Sequence, residues 1–89
     1  MEPEERLRKF IQDLAQRRNN VTISEIEWVM DQLSTRHAVR CRQARHGVLF
    51  FVGGQRFMVN CHNPGSKQVK RYSVDDFINA MIDLGWYEE

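Results

Sequence analysis

Gly53 and Gly54 sit between an apolar run at 48–52 and an alternating run at 55–61. That arrangement has one compact local solution, an antiparallel hairpin closed by a two-residue turn. Such a turn pairs Val52 with Gln55, and counting outward it pairs Phe50 with Phe57 and Val48 with Val59. Because side chains alternate along a strand, this register sorts the hairpin into two faces. Val48, Phe50, Val52, Phe57 and Val59 share one, the better core face; Leu49, Phe51, Arg56, Met58 and Asn60 share the other. The second face mixes apolar and basic groups, and one layer of helices does not cover it. Such a face meets a partner, whether protein or nucleic acid, unless the N-terminal helix or a homodimer mate lies over it.

The flanking segments follow a helical period. Leu7, Phe10, Ile11 and Leu14 form one stripe of a helix expected over 4–18, ended by Asn19-Asn20. Thr22 and Glu25 have the spacing of a capping box, with Val21 and Ile26 placed as its hydrophobic staple. The helix they open puts Ile26, Val29, Met30 and Leu33 on one face and runs to about Ser34. Val39 and Cys41 then alternate with Arg40 and Arg42, predicting a half-buried strand with a basic outer side. Residues 62–72 read as a loop around Asn63-Pro64-Gly65-Ser66. Ser73 is expected to cap a last helix, with Asp75 and Asp76 in its first turn and Gly85 at its end. The chain of 89 residues is therefore expected to be a single α+β domain, 1–89, of order α-α-β-β-β-α, in which helices pack on one face of a three-stranded antiparallel sheet.

Charge is distributed unevenly along this order. Residues 36–71 contain no Asp or Glu, yet hold Arg36, Arg40, Arg42, Arg45, Arg56, Lys67, Lys70 and Arg71 and all three histidines. Five basic and seven acidic residues precede this stretch, and five acidic and no basic residues follow it, so the net charge of +1 conceals a dipolar molecule. A concentrated positive field raises the local concentration of polyanions and speeds their encounter. No run is long enough to cross a membrane, and the acidic start at 2–5 is unlike a signal peptide, so a cytoplasmic protein without membrane contact is expected.

A chain this short has little room for a deep substrate cavity. Its acid-free centre offers no Ser/His/Asp set, phosphate-binding glycine loop or clustered carboxylates. Cys41, Cys61, His37 and His62 lack the spacing of a zinc site, and both thiols are expected to be small buried hydrophobes. What remains is histidine acting as acid or base among cations, which suits RNA transesterification with the 2′-hydroxyl as nucleophile and no metal or cofactor. His46, in Arg45-His46-Gly47 between the first two strands, is the best-placed candidate. Extending the register to residue 46 sets it opposite Cys61 on the core face, and a bulge or turn at Gly47 would free it. His62 reads as a turn residue and His37 as packing at the start of the first strand.

Residues 21–84 resemble the HicA-like toxins, small mRNA interferases of bacterial toxin–antitoxin pairs. Val21-Thr22-Ile23-Ser24-Glu25 is similar to that family's capped first core helix, and Arg45-His46-Gly47-Val48-Leu49 lies where it has Gly-Ser-His followed by a bulky apolar residue. Val59-Asn60-Cys61-His62, the 65–71 loop and Tyr72-Ser73-Val74 resemble its third strand, Lys-rich turn and last helix start. The resemblance implies a fold like the double-stranded RNA-binding domain over 21–85, with 1–20 as an added helix. It also implies a metal-independent endoribonuclease in which His46 is catalytic and a HicB-like antitoxin is the protein partner. Arg45, Lys67, Lys70 and Arg71 would hold phosphates, and Arg40, Arg42 and Arg56 would widen the RNA footprint. Ala44-Arg45 stands in place of the family's Gly-Ser. The alternatives are an RNA-binding module without catalysis and a protein-interaction domain working through Leu49, Phe51 and Met58.

Overall fold

Gly53 and Gly54 have φ of 53° and 88°, the pair of positive values that a two-residue hairpin turn demands and that glycine supplies without strain. A computed structural model describes residues 2–45, 47–62 and 65–89. The element order is α1 (Pro3–Gln16), α2 (Ile23–Leu33), β1 (Val39–Gln43), β2 (Gly47–Val52), β3 (Gln55–Asn60) and α3 (Arg71–Asp83), the expected α+β arrangement. The strands form one antiparallel sheet in the order β1-β2-β3. Val52 pairs with Gln55, Phe50 with Phe57 and Val48 with Val59, as the turn requires.

The core face is the one the alternation assigns. Val48, Phe50, Val52, Phe57 and Val59 are all buried. Phe50 stacks on Phe57 with ring centroids 5.6 Å apart, and Phe57 meets Phe77 of α3 edge-on at 5.6 Å. Aromatic pairs of this kind contribute about 0.5–1.5 kcal/mol beyond the burial of their area. Helix α3 packs mainly on β3, α2 reaches β1, and α1 lies against both other helices. Leu7, Ile11 and Leu14 of α1 therefore join the helix-side core, leaving the outer sheet face uncovered by α1.

The capping box at Thr22 and Glu25 is complete: the Thr22 hydroxyl accepts from the Glu25 amide, and the Glu25 carboxylate accepts from the Thr22 amide at 2.9 Å. Arg17 bonds the same carboxylate, which draws the end of α1 onto the start of α2. Together these bonds hold Glu25 below the usual carboxylate range, chiefly through Arg17. Helix α1 stops at Gln16, two residues earlier than its periodicity suggests, because Arg17 and Arg18 turn toward Glu25 and toward Asp75 and Glu89.

Three expectations need correction. Ser73 does not cap α3; the helix starts three residues earlier, with Lys70 as its N-cap and no acidic residue in its first turn. Ser73 is wholly buried, and its hydroxyl accepts from the Asn60 amide at 2.9 Å, joining the helix to the end of β3. Asp75 pairs instead with Arg18 at 2.8 Å. Cys41 faces the helix side but is exposed, because α2 covers that edge strand only lightly; Cys61 is half-buried. Finally, 67–70 is more than a loop. Gln68 bridges Thr22, and Val69 bridges Cys61, so this short extended piece is clamped between the start of α2 and the end of β3.

Helix α3 ends as expected at Gly85, whose φ is 82°. The Gly85 amide bonds the Ile82 carbonyl, and the Trp86 amide bonds the Met81 carbonyl, closing a Schellman motif over two buried apolar side chains.

Candidate functional site

The β1–β2 connection is tight. The Ala44 amide donates to the Gly47 carbonyl at 2.9 Å, closing the turn that carries Arg45. Gly47 then runs so close to β3 that an added Cβ would lie 2.0 Å from the Val59 carbonyl oxygen. Only glycine fits there without moving backbone. His46, the expected catalytic residue, lies outside the described residues, as does its pairing; its neighbours on both sides line the groove described next.

On the other side of that groove, the clamped segment fixes Lys70. The Val69 amide donates to the Val21 carbonyl, and the Lys70 amide to the Asn60 carbonyl, both at 2.8 Å, while Val69 itself is fully buried. Position 70 is thereby tied to the end of β3, and the turn between β1 and β2 faces it. The space between them is a groove of about 390 Å³ whose walls include Gln43, Arg45, Cys61, His62, Ser66 and Lys70. No carboxylate is among its described lining residues. Burial pushes the Cys61 thiol above its ordinary value, and the charge of Glu27 on α2 adds to that rise. Cys61 is therefore a poor nucleophile here.

The basic residues expected to hold phosphates divide among separate places. Arg45 and Lys70 come together in the groove. Arg71 lines a second depression at the end of α1, beside Arg17 and Arg18. Lys67 is exposed, outside the walls of both, and its carbonyl accepts from the Ile23 amide. Arg40, Arg42 and Arg56 lie on the outer sheet face, where Arg40 pairs with Phe51, Phe51 with Arg56, and Arg42 with Leu49.

Charge pairing separates these groups from the rest of the molecule. Among the described residues the ion pairs draw on Arg8, Arg17 and Arg18, and none uses a basic residue from 36–71. Arg36 lies over the Trp86 ring at 5.6 Å, Arg40 over Phe51 at 6.0 Å, and Lys70 over Tyr72 at 5.9 Å. Lys70 and Arg71 also occupy the first positions of α3, where the helix dipole already places positive potential. The chain itself supplies no acidic side chain in that turn to offset it.

The structure gives three groups a place near these cations that the sequence reading did not assign them. His62 is exposed in the groove wall, held by its amide bond to the Gln68 carbonyl at 3.0 Å. Asn60 donates from Nδ2 to the Tyr72 hydroxyl at 2.8 Å, so Tyr72 extends the outer face toward Lys70. For His62 the available signal was its position directly after the third strand; alternation placed Asn60 on the outer face, and its bond to Tyr72, twelve residues away, lay beyond any local pattern.

Cys41, Cys61, His37 and His62 are not gathered, and no group of three potential metal ligands occurs among the described residues. No helix among them is long and apolar enough to cross a membrane. No family model, no curated protein and no solved structure matches this chain.

Proposed function

We propose that this chain is an RNA-binding, metal-independent endoribonuclease, an mRNA interferase of the HicA-like type that acts in the cytoplasm and is restrained by a HicB-like antitoxin. The observation that carries this reading is the groove itself: Arg45, Gly47, His62 and Lys70 line it, and no carboxylate stands among its described walls.

Cations without competing acids suit a phosphodiester, and histidines suit the proton transfers that its transesterification needs. The 2′-oxygen attacks phosphorus and forms a cyclic phosphate, while the bond from phosphorus to the 5′-oxygen breaks. His46 and His62 divide the two proton transfers: one takes the 2′-hydroxyl proton, and the other protonates the leaving 5′-oxygen. Arg45 and Lys70 stabilise the charge that builds on the phosphoryl oxygens.

The test is incubation of purified protein with single-stranded RNA in EDTA, followed by analysis of product ends. Cyclic phosphate and 5′-hydroxyl ends are expected, with the rate falling about 10²–10⁴-fold in His46→Ala. Unchanged cleavage in that variant would remove His46 from the chemistry. A second reading, RNA binding without cleavage, is favoured by Arg45, a bulky cation where the resembling family has serine. It predicts intact RNA throughout and binding that survives His46→Ala.

A further inference from the structure

The outer face of the sheet is organised in rows. Arg40, Phe51 and Arg56 are paired directly across the three strands, and Arg42, Leu49 and Met58 form the next row. Beyond them Asn60 leads through its bond to the Tyr72 hydroxyl toward Lys70, which is also a groove residue. Leu49, Phe51 and Met58 are only half-buried, because all three helices pack on the opposite side or on one another.

We infer that this face is a stacking platform for single-stranded RNA, laid so that a base rests on Phe51 and the strand continues past Tyr72 and Lys70 into the groove. The inference rests on the RNA reading above and deepens it by naming the form of the substrate and a second contact surface.

Charge decides the occupant. A second copy of this chain set face to face would bring both copies' Arg40, Arg42 and Arg56 together, and the strands contribute no Asp or Glu to neutralise them. A polyanion meets the same surface favourably. Its form follows from the residues in the middle of the face. Half-buried Phe51 and exposed Tyr72 each present a ring with a cation beside it, Arg40 at 6.0 Å and Lys70 at 5.9 Å, and a base that stacks there must be unpaired, since paired bases inside a duplex do not reach such rings. Arginines at either side of Phe51 add contacts to phosphate and stack on bases in their own right. The field across the row is uneven: Arg56 shares a shallow depression with Asp76 and Asp83 of α3, whereas Arg40 has no acidic neighbour in its strand. Arg40 therefore carries the larger share of phosphate attraction.

The probe is a fluorescent single-stranded 12-mer of 2′-O-methyl RNA, which lacks the nucleophilic hydroxyl and so reports binding without cleavage, with a blunt duplex of the same length as competitor. Phe51→Leu keeps an apolar side chain and removes the ring face; it is expected to weaken single-strand binding about tenfold, while Phe51→Tyr stays within about twofold of wild type. Thermal melting of both variants separates lost binding from lost folding, and Phe51→Tyr supplies the answer where Phe51→Leu is unstable. Wild-type affinity in a folded Phe51→Leu overturns the inference, as does a duplex that competes as well as the single strand. So does a change from dimer to monomer in Phe51→Leu with RNA binding unaltered, since a second copy would then be the occupant. The groove is tested apart from the platform by repeating Phe51→Leu in an Arg45→Ala/Lys70→Ala background. An equal fold-loss there places the platform outside the groove. Absence of cleavage alongside a Phe51-dependent affinity would remove the nuclease reading and leave the platform standing.

Discussion

Trp86 donates its indole N–H to His37 Nε2 at 3.2 Å, with the rings set edge to face at 6.5 Å. The bond ties the residue just past α3 to the segment leading into β1, so Trp86 fastens the approach to the edge strand. Arg8 and Arg36 lie over the same indole at 4.7 and 5.6 Å, and Arg8 also bonds the Gly85 carbonyl.

Trp86 is 6% exposed, so removing it opens a cavity where α1, α3 and the approach to β1 converge. Trp86→Ala is expected to cost about 3–5 kcal/mol in urea unfolding. Trp86→Phe keeps a ring and loses the N–H, and should cost about 1 kcal/mol. Equal losses for the two variants would show that the hydrogen bond, rather than packing, holds this corner.

Glu25 gives the fold an acid-sensitive joint. Its carboxylate lies below the usual range because Arg17 and the Thr22 amide hold it ionised in the folded state. A depressed folded value means that the stabilisation is complete above the ordinary carboxylate range and is lost as pH falls through the folded value. Glu25→Gln should therefore unfold at lower urea than wild type near neutrality, by about 1 kcal/mol. In strong acid the two midpoints should converge. A gap independent of pH would assign the effect to something other than this ionisation.

Local features were legible in the sequence because their causes are local. Gly53-Gly54 sets the hairpin register, and Thr22 with Glu25 sets the start of α2, within a few residues of chain. Ser73 looked like a cap by the same local reasoning, but its hydroxyl is taken by the Asn60 amide, a contact thirteen residues away that no window around Ser73 contains. The strand-like pairing of 67–70 was hidden for a similar reason, since its partners are residues 21–23 and the end of β3. The charge skew marked the stretch in which the basic residues gather, and alternation put Arg40, Arg42 and Arg56 on one face. Alternation did not reveal that Arg71 parts from Lys70, because adjacent residues at a helix start leave in different directions.

Cys41 shows the limit of alternation in another way. The pattern gives its face correctly, opposite Phe50, but whether a helix covers that face depends on how far α2 reaches. Cys41 is exposed, whereas Cys61 is half-buried and its thiol is pushed up by burial. Iodoacetamide at mildly alkaline pH should therefore label Cys41 first, with Cys61 following only on longer exposure or in urea. Mass spectrometry of the labelled peptides reads the order, and faster labelling of Cys61 would contradict the packing at the groove wall.

The groove cations make a quantitative demand on salt dependence. A single-stranded nucleic acid releases counterions so that log K falls with log salt by about 0.7 for each phosphate neutralised. Arg45 and Lys70 form no ion pair among the described residues, so each is available to a phosphate. Arg45→Ala and Lys70→Ala should each flatten the slope by about 0.7, and the double variant by about 1.4. Arg18→Ala serves as the contrast, because Arg18 is committed to Asp75 and Glu89 at 2.8 and 2.7 Å. That substitution should lower stability and leave the slope of the folded protein unchanged. Should Arg18→Ala flatten the slope as much as Lys70→Ala, the phosphates would be following overall charge rather than this groove.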